Sequence, residues 1–364
     1  MKVAVFSAKP YDKTYLSRVL SARSDPESSS FSSNSFSKVK IELVFHDFSL
    51  STDTVALAAG ASAVCVFVND TLSENVLKAL HSSGVRAILL RCAGYNNVDL
   101  PTAERLGLFV ANVPSYSPEA VAEFAVALIQ TLNRNTHRAY NRAREGNFNL
   151  DGLLGRTLHG KTVGIVGTGK IGVALARIMK GFGCKVLGYD LYPSDAFREC
   201  GEYVGSLENE LLPVCDFVSL HCPLTESTRY MINDETLGCM KKGAMLVNTS
   251  RGGLINTKAV IKALKYHQIG GLALDVYEGE GALFYHDHSG DIIQDDDLMR
   301  LMTFPNVIVC GHQAFFTEEA LTEIADCTFR NLDDFCRGVP CKNSLVIVRE
   351  GHLFMKRDAL PVRI

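Results

Sequence analysis

Residues 162–190 read TVGIVGTGKIGVALARIMKGFGCKVLGYD, and their pattern is the most informative in the sequence about the fold class. A strand-like VGIVG precedes three glycines in the spacing G-x-G-x-x-G, at Gly167, Gly169 and Gly172. A helical pattern follows, and the next strand-like run, CKVLGYD, ends at Asp190. Because a strand, this spacing, a helix and an acid come in the order that dinucleotide binding requires, the stretch predicts a dinucleotide-binding βαβ unit.

The parts of this unit have separate physical roles. The first glycine permits a tight turn, the second lets the backbone approach a pyrophosphate, and the third lets helix and strand pack closely. Lys170 and Ile171 begin the predicted helix, where free N–H donors favour phosphate. Asp190 is expected to bind ribose hydroxyls and to repel a 2′-phosphate, so NAD is predicted rather than NADP. The alternative is an ordinary strand-to-helix turn with a surface aspartate.

Outward from this stretch, the chain alternates short strand-like runs with helical segments. The runs before it are VAVFS, IELVF, AVCVFV, RAILLR and GLFVAN, and those after it are CDFVSLHCP, GAMLVNTS, GGLALDVY and NVIVCGH. This rhythm is typical of parallel sheets flanked by helices. Two successive series of this kind predict an α/β chain with two domains.

Two long helices are predicted. One begins at Ser117, a good N-cap, with Pro118 at the first helical position and an arginine-rich end that contains Arg134, Arg138, Arg142 and Arg144. That end is either an oligomer contact or a solvated surface. The other spans about 317–337 and has no strand series of its own, so we expect it to return to the first domain.

Composition narrows the class of protein. The chain has 364 residues, is 47% hydrophobic and carries a formal net charge of −3, so bulk charge does not indicate nucleic acid or an anionic membrane. No apolar run reaches about 18 residues, and no membrane span is predicted. The N-terminal residues, MKVAVFSAKPYDK, do not resemble a signal peptide. The 11 cysteines are scattered along the chain, which is typical of reduced thiols. A cytoplasmic location is therefore expected. The Ser-rich residues 21–37 are predicted to form a mobile loop.

Polar side chains follow four strand-like runs of the second series: His221, Arg251, Asp275 with Glu280, and His312. An arginine can hold a carboxylate through two parallel hydrogen bonds, and a histidine can transfer a proton near neutral pH. A nearby carboxylate stabilises a protonated imidazole. Beside a dinucleotide, these groups are what the reduction of a 2-keto acid needs.

Each of these residues also has a structural interpretation. Arg251 could be a capping or surface charge, Asp275 and Glu280 solvated loop acids, and His221 a turn cap. Residues 286–291 contain two histidines and two aspartates, but no spacing typical of a zinc site, so no metal is predicted and that loop is read as solvated.

The motifs taken together resemble those of the D-isomer-specific 2-hydroxyacid dehydrogenases, and within them the fermentative NAD-dependent D-lactate dehydrogenases. The resemblance rests on RCAGYNNVDL, VPSYSPEAVAEF, VGIVGTGKIG, SLHCPLT, VNTSRGG, LDVYEGE and GHQAF, and runs from the first residue to the helix near 337. Phe124 stands where that branch often has histidine, a departure without evident chemical consequence.

The resemblance implies roles for individual residues. Arg251 would bind the substrate carboxylate and carbonyl, Glu280 would pair with His312, and His312 would be the proton donor and acceptor. Backbone amides of Ala93 and Gly94 would hold the carboxylate. The remaining substrate contacts would be Tyr116 and Phe315, whose side chains would line the substrate-binding pocket. The cofactor contacts would be Gly167, Gly169, Lys170, Ile171, Gly172, Asp190, Cys222, Pro223, Thr228, Thr249, Ser250, Arg251 and Asp275.

The resemblance also implies two Rossmann-like domains with a cleft between them and hinged closure. The substrate domain would comprise residues 1–113 and 312–364, and the NAD-binding domain residues 114–311. The expected reaction is reduction of pyruvate to D-lactate by a homodimer or homotetramer. Phe315 and the long insert after Glu280 favour pyruvate by likeness. The alternatives are a reductase of glyoxylate or hydroxypyruvate, and an NAD-sensing corepressor or scaffold of the same fold.

Overall fold

A computed structural model describes residues 1–24 and 39–346. Most of the Ser-rich segment predicted as a loop lies outside the described residues. Its first residues, 21–24, are helical and end the first helix, so the predicted loop began too early there.

The strands, in chain order, are β1 (Lys2–Val5), β2 (Glu42–Phe45), β3 (Ala63–Val66), β4 (Ala87–Leu90), β5 (Phe109–Ala111), β6 (Thr162–Val166), β7 (Lys185–Tyr189), β8 (Glu202–Tyr203), β9 (Phe217–Leu220), β10 (Ala244–Asn248), β11 (Ile269–Leu274) and β12 (Val307–Val309). The α-helices are α1 (Pro10–Ser24), α2 (Glu74–Ser82), α3 (Leu100–Arg105), α4 (Pro118–Arg134), α5 (Thr136–Arg144), α6 (Lys170–Gly181), α7 (Asp195–Arg198), α8 (Asp234–Cys239), α9 (Thr257–Lys265), α10 (Asp296–Met302) and α11 (Glu318–Arg337).

The described residues divide into two compact units, one formed by Met1–Ser117 together with residues 317–346, and the other by Pro118–Phe316. The sequence had suggested boundaries at 113/114 and 311/312. The difference moves His312 and Phe315 into the second unit. This follows from local bonding, because the backbone N–H of His312 donates to the carbonyl oxygen of Asp275 at 2.8 Å, beside β11.

The first unit is built on five parallel strands in the order β2-β1-β3-β4-β5. Helix α11 packs on this sheet, since Ala325 and Phe329 share one buried core with Val3 and Val5. Arg23 of α1 ties the two helices together through ion pairs to Asp326 and Asp333. Beyond α11, Ser344 makes an antiparallel bridge to Ala111, so the described C-terminal residues lie along the edge of β5.

The second unit is built on seven parallel strands in the order β12-β11-β10-β9-β6-β7-β8. The chain proceeds from β6 to one side and later returns to the other, and ligands of such sheets bind beyond the strand ends where the order reverses. The register aligns these ends, because Val166 pairs with Leu220, Leu220 with Asn248, Asn248 with Leu274, and Leu274 with Val309. The residues that follow these strands therefore meet at one edge.

The predicted long helix from Ser117 is present as α4, but it is shorter at its arginine-rich end. Asn135 adopts a left-handed conformation, φ 53°, which ends α4 at Arg134. The other three arginines belong to α5, a separate helix in which no side chain is buried. Within the described ranges, 1–24 and 39–346, no helix is long and apolar enough to cross a membrane.

Candidate active site

The glycine-rich turn after β6 has the geometry that its spacing predicted. Gly167 has φ +94°, and a Cβ there would lie 2.5 Å from backbone atoms of His221 and Cys222. A Cβ on Gly172 would lie 2.1 Å from the carbonyl oxygen of Gly167. Larger residues at these two positions would force the turn away from β9 or helix α6 away from β6. The turn therefore requires glycine at both positions.

The helix that follows this turn presents a suitable anion site. Gly169 is the N-cap of α6, and no side chain caps the first turn that Lys170 and Ile171 begin. Asp190, at the end of β7, accepts hydrogen bonds from the Thr168 backbone N–H at 2.7 Å and the Thr168 hydroxyl at 3.1 Å. The carboxylate is thus attached to the glycine-rich turn. The uncapped start of α6 and the carboxylate of Asp190 therefore lie at the positions that bind the phosphates and the ribose of a dinucleotide in such βαβ units.

The predicted cofactor contacts on the next strand ends also lie together. The Ser250 hydroxyl donates to the Cys222 carbonyl at 2.6 Å, and the Thr228 hydroxyl donates to the Pro223 carbonyl at 2.7 Å. The first bond joins the segments that follow β9 and β10, and the second lies within the segment that follows β9. Within the described part of the chain, the buried hydroxyl of Thr249 has no hydrogen-bond partner. An unsatisfied buried hydroxyl beside an uncapped helix fits a bound dinucleotide, which would supply its missing partner.

Arg251 follows β10, and its backbone is held by a buried asparagine. The Asn248 side-chain amide donates to the Arg251 carbonyl at 2.9 Å, while its oxygen accepts from the Ser250 N–H at 3.0 Å. The guanidinium Nη1 donates to the Ser250 carbonyl at 2.7 Å. The remaining guanidinium donors are suited to a carboxylate or carbonyl oxygen.

His312 and Glu280 form a pair, as the resemblance implied. The imidazole Nδ1 lies 2.9 Å from Glu280 Oε1, and the second oxygen of Glu280 accepts from the Tyr277 N–H at 3.0 Å. The carboxylate is thus held by the backbone while it holds the ring. With Nδ1 occupied, Nε2 remains for a reacting oxygen. A histidine oriented by an acid in this way can donate and accept a proton.

Asp275 holds the backbone that carries His312. It is 0% exposed, and its two oxygens accept from the N–H groups of Gln313 at 2.8 Å and Ala314 at 2.9 Å. Burial raises the pKa of this carboxyl. The alternative that Asp275 is a solvated loop acid is therefore wrong. His312 itself has a positive φ of 53°, a conformation that the bonds to Asp275 fix.

Phe315 completes this cluster in the second unit. Its ring is buried and meets the His312 ring edge-on, with centroids 6.4 Å apart. Ala93 and Gly94 lie in the loop after β4 of the first unit, which ends at Leu90, and Tyr116 stands two residues before α4. Their predicted contacts with substrate stay predictions, as do the catalytic and cofactor roles assigned to individual residues.

Two other histidine positions have structural explanations. His221 is 2% exposed, its Nε2 lies 2.8 Å from the Ser219 hydroxyl, and burial lowers its pKa to about 3. Its Nδ1 has no hydrogen-bond partner among the described residues, so neither ring nitrogen bonds a turn backbone, and the alternative that His221 caps a turn is wrong. In the polar loop, His288 pairs with Asp291 at 2.9 Å. Throughout residues 1–24 and 39–346, no group of three or more His, Cys, Asp or Glu side chains is arranged to hold a metal ion.

Sequence reasoning missed three supporting side chains. Thr168 anchors Asp190, Asn248 holds the Arg251 backbone, and the Tyr285 hydroxyl donates to the His312 carbonyl at 3.3 Å. Asn248 could have been found, because it is a polar residue at the last position of an apolar strand. Nothing local distinguishes Thr168 or Tyr285, since their partners are distant in sequence.

Comparisons with known proteins show which family the chain is similar to. The model of the D-isomer specific 2-hydroxyacid dehydrogenase, NAD binding domain, matches residues 126–314. A 2-hydroxyacid dehydrogenase A of Aspergillus oryzae is 64% identical over 364 residues, 100% of both chains. The D-lactate dehydrogenase kk1H of Curvularia clavata is 66% identical over 352 residues, 97% of each chain. The apo structure of D-lactate dehydrogenase from Escherichia coli has a TM-score of 0.83 at 48% identity, covering 95% of this chain and 100% of that chain.

These similarities extend over nearly the whole length of the relatives, so they concern both units. The predicted α/β class with two helix-flanked parallel sheets is confirmed, and so is NAD as the cofactor. The chain belongs to the D-isomer-specific 2-hydroxyacid dehydrogenases, and is an NAD-dependent oxidoreductase of that family.

Proposed function

We propose that this enzyme reduces pyruvate to D-lactate with NADH. The observation that carries the proposal is the pair of His312 and Glu280, joined at 2.9 Å on the sheet edge that also holds Arg251 and the glycine-rich turn. When bound, NADH supplies a hydride to the keto carbon. The protein must then anchor the carboxylate, polarise the carbonyl and deliver one proton.

Each requirement has a residue. Arg251 binds the substrate carboxylate and stabilises the charge that develops on the carbonyl oxygen. His312 donates the proton to that oxygen from Nε2, because Nδ1 faces Glu280. Glu280 orients the ring and stabilises its protonated form. In the reverse direction the same imidazole accepts the proton from the hydroxyl group.

For the substrate carboxylate we propose a second set of donors, the backbone N–H groups of Ala93 and Gly94. Tyr116 and Phe315 are proposed to bound the substrate. Phe315 supports pyruvate rather than a larger keto acid, because its bulky, buried ring beside His312 would favour a small substituent on the keto carbon. The kk1H relative is itself named a D-lactate dehydrogenase.

The test is steady-state kinetics with NADH over a panel of pyruvate, glyoxylate, hydroxypyruvate and longer 2-keto acids, followed by chiral analysis of the product. We expect the highest kcat/KM with pyruvate and D-lactate as the product. A clearly higher value with glyoxylate or hydroxypyruvate would replace pyruvate as the substrate. That alternative is kept because the Aspergillus oryzae relative is named only as a 2-hydroxyacid dehydrogenase. Slow turnover on every keto acid, with NADH-dependent binding of a partner protein, would favour a corepressor or scaffold.

We further propose a homodimer or homotetramer in the cytoplasm. Residues 136–155 support the assembly, since α5 buries no side chain and Phe148, Leu150 and Leu154 are 78%, 79% and 94% exposed. A second copy of the chain is expected to cover them. All eleven cysteines are free, which supports a reducing compartment. Light scattering behind size-exclusion chromatography should give two or four times 39.8 kDa, and a monomer would contradict the proposal.

A further inference from the structure

A chain of buried asparagines ends at the loop that follows β4. The Asn112 side-chain amide donates to the carbonyl oxygen of Ala93 at 2.8 Å. The Asn331 amide, from α11, donates to the carbonyl oxygen of Asn112 at 2.8 Å, and the Asn343 amide donates to the Asn331 side-chain oxygen at 2.8 Å. All three asparagines are at most 5% exposed. The chain thus joins β5, α11 and the described C-terminal residues to the Ala93 carbonyl.

The bond to Ala93 determines where the next N–H points. The peptide group between Ala93 and Gly94 is planar and trans, so its carbonyl and its N–H point in opposite directions. Because Asn112 draws the Ala93 oxygen toward the buried interior, the Gly94 N–H is turned away from it. Rotation of this one peptide would leave the carbonyl without its buried partner, which is costly. The Gly94 N–H is therefore kept as an outward donor.

The neighbouring bonds keep this arrangement from shifting as a whole. The Val113 N–H donates to the Cys92 carbonyl at 3.1 Å, one peptide before Ala93. The Asn112 N–H donates to the Asn343 carbonyl at 3.3 Å, so the backbone of Asn112 is held at both its N–H and its carbonyl. The side-chain amide of Asn112 holds the Ala93 carbonyl, and the Asn112 backbone is in turn held by Asn331 and Asn343, which lie more than 200 positions later in the sequence.

We propose that Asn112 is a positioning residue for the reaction, which aims the Gly94 N–H at the substrate carboxylate by holding the Ala93 carbonyl. This inference rests on the proposed function, in which the Ala93 and Gly94 amides bind that carboxylate. Asn112 does not contact the substrate. Its loss should weaken substrate binding while leaving NADH binding, a property of the other unit, unchanged.

The test compares Asn112→Ala with Asn133→Ala. Asn133 is similarly buried, and its side-chain amide likewise donates to a backbone carbonyl, that of Arg156, whose N–H donates to the Asn133 side-chain oxygen; it lies in α4 of the second unit. The readouts are KM for pyruvate, the inhibition constant of oxamate, an unreactive carboxylate of pyruvate's shape, and the Kd of NADH by fluorescence. A merely structural asparagine should lower the Tm without separating these quantities.

For Asn112→Ala we expect KM for pyruvate and the oxamate constant to rise about tenfold, with the Kd of NADH within about twofold of the unaltered enzyme. Asn133→Ala should change none of the three. Unchanged KM and oxamate binding in Asn112→Ala, with an active unaltered enzyme, would overturn the inference alone. No turnover of any 2-keto acid by the unaltered enzyme would overturn the proposed function and this inference with it.

A second variant, Asn112→Asp, keeps the test decisive if the alanine variant does not fold. A carboxylate cannot donate to the Ala93 carbonyl, whereas a protonated carboxyl can. We therefore expect the ratio of the variant's KM to that of the unaltered enzyme to fall as the pH is lowered. Because the unaltered enzyme is measured at each pH, pH effects that the two enzymes share cancel from this ratio. A ratio of one at every pH would overturn the inference.

Discussion

Two strands of the second sheet, β9 and β12, are followed by a histidine, and the two histidines differ in burial and in partner. Beyond β9, His221 is 2% exposed, and burial lowers its pKa to about 3. Beyond β12, the His312 side chain is 17% exposed, and its Nδ1 faces Glu280 at 2.9 Å. Both histidines lie at the same edge of one sheet. The partner and the exposure, rather than the residue type, separate the two.

The difference has a simple electrostatic basis. His221 has only the Ser219 hydroxyl beside it, which offers no charge to compensate a buried imidazolium, so the ring stays neutral. His312 has a carboxylate partner and partial access to solvent.

The largest effect is expected for His312→Asn. Removing the proton carrier should lower kcat for pyruvate by about a thousandfold, with the Kd of NADH within about twofold, because the glycine-rich turn is untouched. Stopped-flow or steady-state kinetics and NADH fluorescence measure the two quantities. The matched control is His288→Asn, which breaks another histidine–carboxylate pair of the same 2.9 Å length and should leave kcat unchanged. Near-normal turnover in His312→Asn would remove this residue from the mechanism.

Glu280→Gln should lower kcat by about a hundredfold. The carboxylate accepts from His312 at one oxygen and from the Tyr277 N–H at the other. A glutamine has only one acceptor, so one of these two donors must face an amide NH2. The Kd of NADH is the second readout and should stay within about twofold, because the glycine-rich turn is untouched. A kcat equal to that of the unaltered enzyme would show that the carboxylate of Glu280 is not needed for the reaction.

His221 should make the enzyme less stable in mild acid. Its folded pKa, about 3, lies below the ordinary value of 6.5, so between these values the unfolded chain binds the additional proton. This group does not reduce the free energy of unfolding above about pH 6.5. As the pH falls toward 3 the free energy of unfolding decreases, and the loss amounts to about 2 kcal/mol at pH 5. Urea unfolding at pH 7 and pH 5 should therefore show a smaller loss for His221→Asn. His159→Asn, at an exposed position, is the control, and an equal loss in all three proteins would refute the prediction.

The smallest effect concerns Phe315, which packs edge-on against the His312 ring. Phe315→Ala should raise the ratio of kcat/KM for a bulky 2-keto acid, such as 2-ketoisocaproate, to that for pyruvate by about tenfold. The control is Phe316→Ala, whose ring is 49% exposed. If both variants keep the ratio of the unaltered enzyme, Phe315 does not set substrate size.

What the sequence could predict was local. The glycine-rich turn, Asp190 and the strand ends could be read because neighbouring residues determine them, and the strand register then placed them at one edge. The role of Asp275 in holding the His312 backbone could not, because it depends on a hydrogen bond across 38 positions of sequence. The break between α4 and α5 could not be predicted either, because the left-handed conformation of Asn135 does not interrupt the helical pattern of the sequence.

The unit boundaries show the same limit. Composition changes little between residues 311 and 317, and hydrogen bonds that the N–H groups of His312, Gln313 and Ala314 donate to Asp275 hold that segment in the second unit. The asparagine chain is a second case. Asn112, Asn331 and Asn343 are unremarkable polar residues in the sequence, and their connection exists only after α11 packs on the first sheet.

The free cysteines have a consequence for handling and for measuring this enzyme. Burial raises the pKa of Cys65 to about 11 and those of Cys215, Cys222 and Cys341 to about 12. The thiolate is the form that reacts with alkylating reagents and peroxide. At neutral pH almost none of these four cysteines should be a thiolate in the native state, so the native protein should react very slowly. Modification of these thiols would then proceed only through opened molecules, so its rate reports how often each unit opens. Cys65 and Cys341 would report on the first unit, and Cys215 and Cys222 on the second.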